Sequence, residues 1–349
     1  MNIKPRHSRH FASDNYAGMC PEAMDAFIKA NVDHTGAYGN DPWTAQAANL
    51  IRELFETDCE VFFVFNGTAA NSLVLATLCQ SYHSILCHEL AHIETDECGA
   101  PEFFSNGTKL LQVGGELGKL DLQSLEHVIT KRQDVHFPKP RVVSITQATE
   151  VGTVYSPQEI GAISQIAKGY GLHLHMDGAR FANAVASLGV APSEITWKVG
   201  VEALCLGGTK NGTHVGDAVV FFDRDLAYEF EYRCKQAGQL CSKMRFMSAP
   251  WVGMLQHGAW LKHANHANQM ADLLSRLLSD MPGVRQIYPR QANSVFVELG
   301  PTAIQALRTE GWQFYTFIGT GGCRLMCAWD TSISDVQELA DAIARSTVC

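Results

Sequence analysis

The chain is expected to fold as an α/β protein on a mostly parallel sheet, followed by a smaller α+β C-terminal unit. Three observations predict this. From about residue 45 to 299, short apolar runs of 4–6 residues alternate with helix-like stretches. Most of the runs stop at Gly, Asn or Asp, as buried strands of a parallel sheet do. A long amphipathic stretch, Gln256–Met281, is then halted by Pro282-Gly283 and separates a second group of short elements.

The strand candidates are Val61–Phe65, Ser84–Cys87, Arg141–Thr146, Leu172–Met176, Ala203–Leu206 and Ala218–Phe222. Helical patterns fill the intervals. One covers Ala69–Gln80, after Asn66-Gly67-Thr68. Another covers Ser156–Tyr170, with Ser156 as N-cap and Pro157 as first helical residue. After the long stretch come Ser294–Leu299, a helix near Thr302–Glu310, and Cys323–Trp329. Residues 1–255 are read as an N-terminal arm with a large domain, and 256–349 as a linking helix with a small domain. A length of 349 residues with 46% hydrophobic content suits about two domains.

Composition narrows the function classes. The net charge is −9 with no long basic run, which argues against nucleic acid as partner. No apolar stretch approaches the roughly 18 residues a spanning helix needs. The N-terminal segment lacks the apolar core of a secretion signal. Eleven scattered cysteines without a C-x-x-C pair then read as reduced thiols in a cytoplasmic protein. Asn66, Asn106 and Asn211 each open an N-G-T sequence, which in that compartment needs a reason other than glycosylation.

Three segments carry chemistry. Leu172–Met176 delivers Asp177, in Asp177-Gly178-Ala179-Arg180, to the C-terminal tip of a strand, where open α/β sheets bind ligands. Taken alone, such an acid is an ordinary turn or cap residue. Ala203–Leu206 runs into Gly207-Gly208-Thr209-Lys210-Asn211-Gly212, a lysine flanked by small residues. Asp177 and Lys210 are one strand–helix–strand unit apart. Pyridoxal phosphate (PLP) chemistry needs such a pair: a lysine for the imine, and an acid that keeps the pyridine nitrogen protonated. Asn66-Gly67-Thr68 follows a strand and opens a helix, so its N–H groups suit a phosphate.

With Ala12-Ser13-Asp14-Asn15-Tyr16, Tyr38-Gly39-Asn40-Asp41-Pro42, Ala91-His92-Ile93, Met244-Arg245 and Cys323-Arg324-Leu325 in the same order, the chain resembles the low-specificity L-threonine aldolase family. These are fold-type I, aspartate aminotransferase-like PLP enzymes of the β-eliminating lyase superfamily. The resemblance implies retro-aldol cleavage of L-threonine, L-allo-threonine and related β-hydroxy-α-amino acids, phenylserine included, to glycine and an aldehyde. It implies that Lys210 holds the cofactor as a Schiff base and that Asp177 pairs with its pyridine nitrogen. Gly67 and Thr68 would bind the phosphate, and Arg245 would add charge to it from a neighbouring subunit. His92 would stack on the ring and take part in catalysis. Ser13, Arg180 and Arg324 would grip the substrate carboxylate, with Arg180 also near the cofactor, and Tyr38 would line the site. A homotetramer, as a dimer of dimers sharing sites between subunits, is the implied assembly.

One position departs from the pattern. Thr149 stands where the family often has a histidine, so the general base is open among Glu150, His92, His34 and water. Another PLP-dependent β-eliminating lyase or an aminotransferase is the nearest competing reading. A more distant one is a zinc hydrolase, because His88-Glu89-Leu90-Ala91-His92 matches H-E-x-x-H, with Glu116 as a third ligand. No metal is expected on the main reading. His173 and His175 are read as packing residues, His263 and His266 as surface residues, and Cys205 as core. Leu273, Leu274, Leu277 and Leu278 are read as core or subunit contact.

Overall fold

The apolar runs form the strands of a seven-stranded sheet in a computed structural model that describes residues 9–318 and 322–347. The strands are β1 (Glu60–Val64), β2 (His83–His88), β3 (Lys109–Val113), β4 (Lys139–Thr146), β5 (His173–Gly178), β6 (Ala203–Leu206) and β7 (Asp217–Phe221). Their order is β1-β7-β6-β5-β4-β2-β3. Strands β2 to β6 run parallel, whereas β7 is antiparallel to both β6 and β1. β5 lies at the centre, where Asp177 pairs in register with Thr146 and Cys205. The winding direction reverses between β2 and β4, and ligands bind at such switch points.

Local chemistry explains the flanking helices. Asn66 caps the helix Gly67–Leu78 by accepting from the Ala69 N–H at 2.9 Å. Ser156 and Glu159 form a reciprocal capping box on the helix Pro157–Gly169. The long amphipathic pattern becomes the helix Ala259–Leu278, and residues 256–258 form a separate turn with His257 at φ 58°. Leu274 and Leu278 are fully buried against β9 (Ser294–Glu298), with Leu273 and Leu277 packed at the edge of that core. β8 (Arg285–Gln286), β9, β10 (Tyr315–Ile318) and β11 (Gly322–Met326) make an antiparallel sheet in the order β10-β11-β9-β8. Each fully buried leucine contributes about 1.5–3 kcal/mol, so Leu274 and Leu278 favour one tight helix–sheet core.

An N-terminal arm ties the two sheets together. Phe11 donates to Gln313 and accepts from Met326, both at 2.8 Å. This extended run delivers Ser13 and Asp14 to the junction. Among the described residues no helix is long and apolar enough to cross a membrane, and every described cysteine is a free thiol.

Two expectations need correcting. His263 is not a surface residue: it is buried, bonds Glu22 at 2.8 Å and meets the Trp329 ring edge-on. Strands β3 and β10 were not anticipated, because both are short edge strands with solvent-facing polar residues. The N-G-T sequences find structural uses. Asn66 is a cap, Asn106 turns the chain at φ 61°, and Asn211 donates to the Trp260 carbonyl at 3.0 Å.

Candidate active site

Asp177 ends β5 almost fully buried. Its Oδ1 accepts from the Ala179 N–H at 3.0 Å, and its Oδ2 from Asn71 at 2.9 Å. Asn71 also donates to Glu97 at 2.8 Å, and the same Glu97 oxygen meets His92 Nδ1 at 2.8 Å. Burial alone would lower the His92 pKa. The Glu97 hydrogen bond and the charges of Asp177, Glu150 and Glu97 outweigh it and raise the value. Behind Asp177, His175 is enclosed between Ser144 (2.9 Å) and Cys205 (3.3 Å), and burial pushes its pKa down to about 4. It stays neutral and serves as packing, as Cys205 does.

The lysine loop is pinned from below. Asp217, at the start of β7, accepts from the N–H groups of Gly208 (2.9 Å) and Thr209 (3.2 Å) and from the Thr209 hydroxyl (3.2 Å). These bonds fix the turn Thr209–Asn211 that carries Lys210. A side chain at Gly207 would overlap the Ala179 carbonyl, and one at Gly208 would meet Trp251 at 2.5 Å. Glycine at 207 lets the Asp177 loop and the lysine loop lie against each other, and glycine at 208 lets the lysine loop lie against Trp251. Gly67 backs onto Asp217 from the other side, since a Cβ there would sit 3.4 Å from Asp217 Oδ2. The helix start at Gly67 and Thr68, with its unpaired N–H groups, therefore adjoins the lysine turn.

The two arginines gather beside the arm. Arg180 donates through Nε and Nη2 to both oxygens of Asp14, at 2.8 and 2.9 Å, and both side chains are buried. Burial raises the Asp14 pKa, but Arg180, joined by the Lys210 charge and the Asn293 bond, more than offsets it and holds the carboxyl below its ordinary value. Arg324, on β11, donates to the Ala12 carbonyl at 3.2 Å and lies over the Tyr315 ring. Burial, and then the Arg180 charge, lower its pKa. Ser13 caps the short turn Asp14–Tyr16. The half-buried Glu150 acts electrostatically on His92, Arg180 and Arg324 alike.

Tyr38 and Arg245 sit elsewhere. Arg245 donates to the Asp33 carbonyl at 3.0 Å and stacks on Phe246. Tyr38 is half exposed at φ 57°, under the Lys235 ammonium. Among the described residues neither is bonded to Lys210, Asp177 or the Gly67 turn. His34 lies on an exposed segment.

The zinc-hydrolase reading fails on geometry. His88 closes β2, and its ring nitrogens are occupied by the Leu90 N–H and the Gly115 carbonyl. His92 opens a different, short helix, so the two imidazoles do not share a helical face. The liganding atoms of His92, Glu97 and Asp177 do lie within 4.8 Å of one another, but the Asn71 amide, a donor, occupies the gap between the carboxylates. Thr149 is no base either. Its hydroxyl is bonded to Thr153 at 2.7 Å within a buried turn.

Comparison with known proteins gives this geometry a family. The model of the beta-eliminating lyase family matches residues 10–300. A low specificity L-threonine aldolase of Pseudomonas aeruginosa is 64% identical over 334 residues, covering 96% of each chain. The chain belongs to the β-eliminating lyase family. A low specificity L-threonine aldolase of Saccharomyces cerevisiae is 25% identical over 82% of this chain and 73% of its own. The solved threonine aldolase of Leishmania major superposes with a TM-score of 0.91 at 29% identity, covering 96% of this chain and 98% of that one. A tryptophan decarboxylase of Catharanthus roseus shares the fold alone, with a TM-score of 0.77 at 14% identity over 98% and 84% of the two chains. The fold is thus that of the fold-type I enzymes, as the sequence suggested.

Several residues that build this candidate site escaped sequence reasoning: Asn71, Glu97, Asp217, and Asn293, which donates to Asp14 at 3.1 Å. Asn71 falls in the Gly67 motif, one helical turn past Thr68, which was a usable signal. Glu97 and Asp217 act across loops and leave no periodic trace.

Proposed function

We propose that this β-eliminating lyase is a PLP-dependent aldolase. It cleaves L-threonine, L-allo-threonine and related β-hydroxy-α-amino acids such as phenylserine to glycine and an aldehyde. The observation that carries the reading is 64% identity, along 96% of the chain, to a low specificity L-threonine aldolase.

The donor set fits PLP. A buried carboxylate at a strand tip, a helix start with unpaired N–H groups, an imidazole and a primary amine on a pinned turn match its pyridine nitrogen, phosphate, ring face and carbonyl. When bound, PLP supplies a carbonyl for imine formation and an electron sink for the broken Cα–Cβ bond. Lys210 would hold it, and Asp177, fixed by Asn71 and Ala179, would keep the pyridine nitrogen protonated. Gly67 and Thr68 would hold the phosphate, with Arg245 supplied by a neighbouring subunit, and Tyr38 would line the site.

The substrate carboxylate binds Arg324 and Ser13, with Arg180 held alongside by Asp14. That grip orients the scissile bond. With Thr149 committed to its turn, His92 would accept the β-hydroxyl proton. Residues 1–255 form the cofactor unit and 256–349 the smaller one, in a cytoplasmic dimer of dimers. The test is turnover of L-threonine, L-allo-threonine and L-phenylserine with and without added PLP, following aldehyde and glycine. PLP-dependent release of both supports the reading. A yellow protein releasing no aldehyde replaces it with elimination or transamination.

A further inference from the structure

The retro-aldol reading leaves the buried Glu97 without a part and gives its neighbour Asn71 only the fixing of Asp177. Glu97 has no exposed side-chain surface, and Asn71 is 1% exposed. Glu97 Oε1 meets His92 Nδ1 at 2.8 Å and Asn71 Nδ2 at 2.8 Å, and Asn71 Nδ2 reaches Asp177 Oδ2 at 2.9 Å. The four residues form one unbroken run, His92–Glu97–Asn71–Asp177.

The hydrogens in this run have a fixed direction. An amide nitrogen donates two hydrogens and an ionised carboxylate only accepts. Asn71 therefore gives one N–H to each carboxylate, which holds the two like charges side by side. Burial raises the Glu97 pKa, which the His92 and Asn71 bonds oppose; once ionised, Glu97 can only accept from His92, so the hydrogen on that ring sits on Nδ1. The other nitrogen, Nε2, is left as the basic one. A buried carboxylate is costly unless bonded, and here its bonds go to one imidazole and one bridging amide.

We propose that Glu97 is a positioning residue for His92: it locks the imidazole with hydrogen on Nδ1, presents Nε2 to the substrate, and is itself held by Asn71 against Asp177. This deepens the aldolase reading and rests on it. In the step served, the β-hydroxyl proton passes to Nε2 as the Cα–Cβ bond breaks. The oxygen's electron pair becomes the second bond of the aldehyde carbonyl. The pair left on Cα is quenched by a proton from solvent, and His92 returns its own proton to solvent.

The charges facing His92 agree in sign. Glu97 and Asp96 lie on its own segment, Asp177 on β5 and Glu150 on the loop after β4. Asp96 is 3.7 Å from Nε2 but 81% exposed, so water screens it. The site's cations act mainly on other acids: Arg180 and Arg324 on Asp14 and Glu150, and Lys210 on Asp14 and Asp217. Glu97 is thus the buried contact that sets the ring's basicity.

The test is NMR of the full-length protein labelled with ¹⁵N,¹³C-histidine, without and with PLP, in which His92 is assigned by its loss in His92→Asn. The expected wild-type ring carries its hydrogen on Nδ1 and titrates above the ordinary value of about 6.5. In Glu97→Gln the midpoint falls by about one unit, and Glu97→Asp restores part of that fall. In turnover, kcat of Glu97→Gln falls at least about tenfold with KM within about threefold, and its acid limb moves to lower pH by the same unit. An unmoved midpoint and unmoved acid limb in Glu97→Gln overturn the proposal. If that variant does not fold, a wild-type ring with Nδ1 bare, or titrating below about 6.5, overturns it equally. A wild-type enzyme that releases no aldehyde overturns the aldolase reading alone, and the NMR titration still decides for or against Glu97.

Discussion

Replacing Asp14 with alanine leaves the Arg180 guanidinium buried and unpaired at the junction of arm, large sheet and small sheet. Asp14 accepts two bonds from Arg180, at 2.8 and 2.9 Å, and one from Asn293 at 3.1 Å. Breaking a buried pair by deleting one partner costs about 3–5 kcal/mol. The lost Asn293 bond adds about 1 kcal/mol. The sum, about 4–6 kcal/mol, is a large share of the roughly 5–15 kcal/mol that typically holds a domain folded. It corresponds to about three to four decades in the folded-to-unfolded ratio. Equilibrium urea denaturation of wild type, Asp14→Ala, Arg180→Met and the double variant, at one fixed PLP concentration, measures it. The double variant is expected to be more stable than Asp14→Ala, because it removes the orphaned charge. A loss below about 1 kcal/mol in Asp14→Ala, or a double variant as unstable as the sum of the singles, refutes the reasoning.

Other consequences follow from the same geometry. Thr149→Ala keeps kcat within about twofold, because the hydroxyl serves a turn, and loses about 1–2 kcal/mol in the same denaturation assay. Arg324→Ala raises KM and lowers kcat in steady-state kinetics, since a carboxylate grip both binds and orients. The Asp14 carboxyl is held below its ordinary 3.8, so its contribution is complete above that pH and fades as pH falls through the lowered value. Denaturation midpoints measured down to acid pH therefore decline more steeply in wild type than in Asp14→Asn.

Much of this architecture was legible in the sequence, because buried strands are written as apolar runs with abrupt polar ends. Leu172–Met176 ending at Asp177 and Ala203–Leu206 ending at Gly207 are such cases, and both strands lie within about two residues of the expected place. The edge strand Lys109–Val113 was not legible, since a strand paired on one side keeps polar residues and loses the continuous run. The short chemical motifs drew attention to Asp177, Lys210 and the Gly67 turn, and the last two adjoin through Asp217. The supports were hidden, because Asp217 reaches back eight or nine positions to pin the lysine turn and Asn293 joins Asp14 from the other sheet. The H-E-x-x-H match misled because its spacing presumes a helix, whereas His88 ends a strand. The burial of His263 was invisible because its partner, Glu22, comes from a distant helix.

The central claim is that Lys210, on the turn held by Asp217, carries the cofactor. Borohydride reduction of the PLP-loaded protein, followed by peptide mass spectrometry, tests it most directly. The account predicts the reduced pyridoxyl-phosphate mass on the peptide containing Lys210, loss of the visible absorbance, and neither change in Lys210→Ala. An adduct on a different lysine, or a Lys210→Ala protein that still releases aldehyde from L-threonine at the wild-type rate, would contradict it.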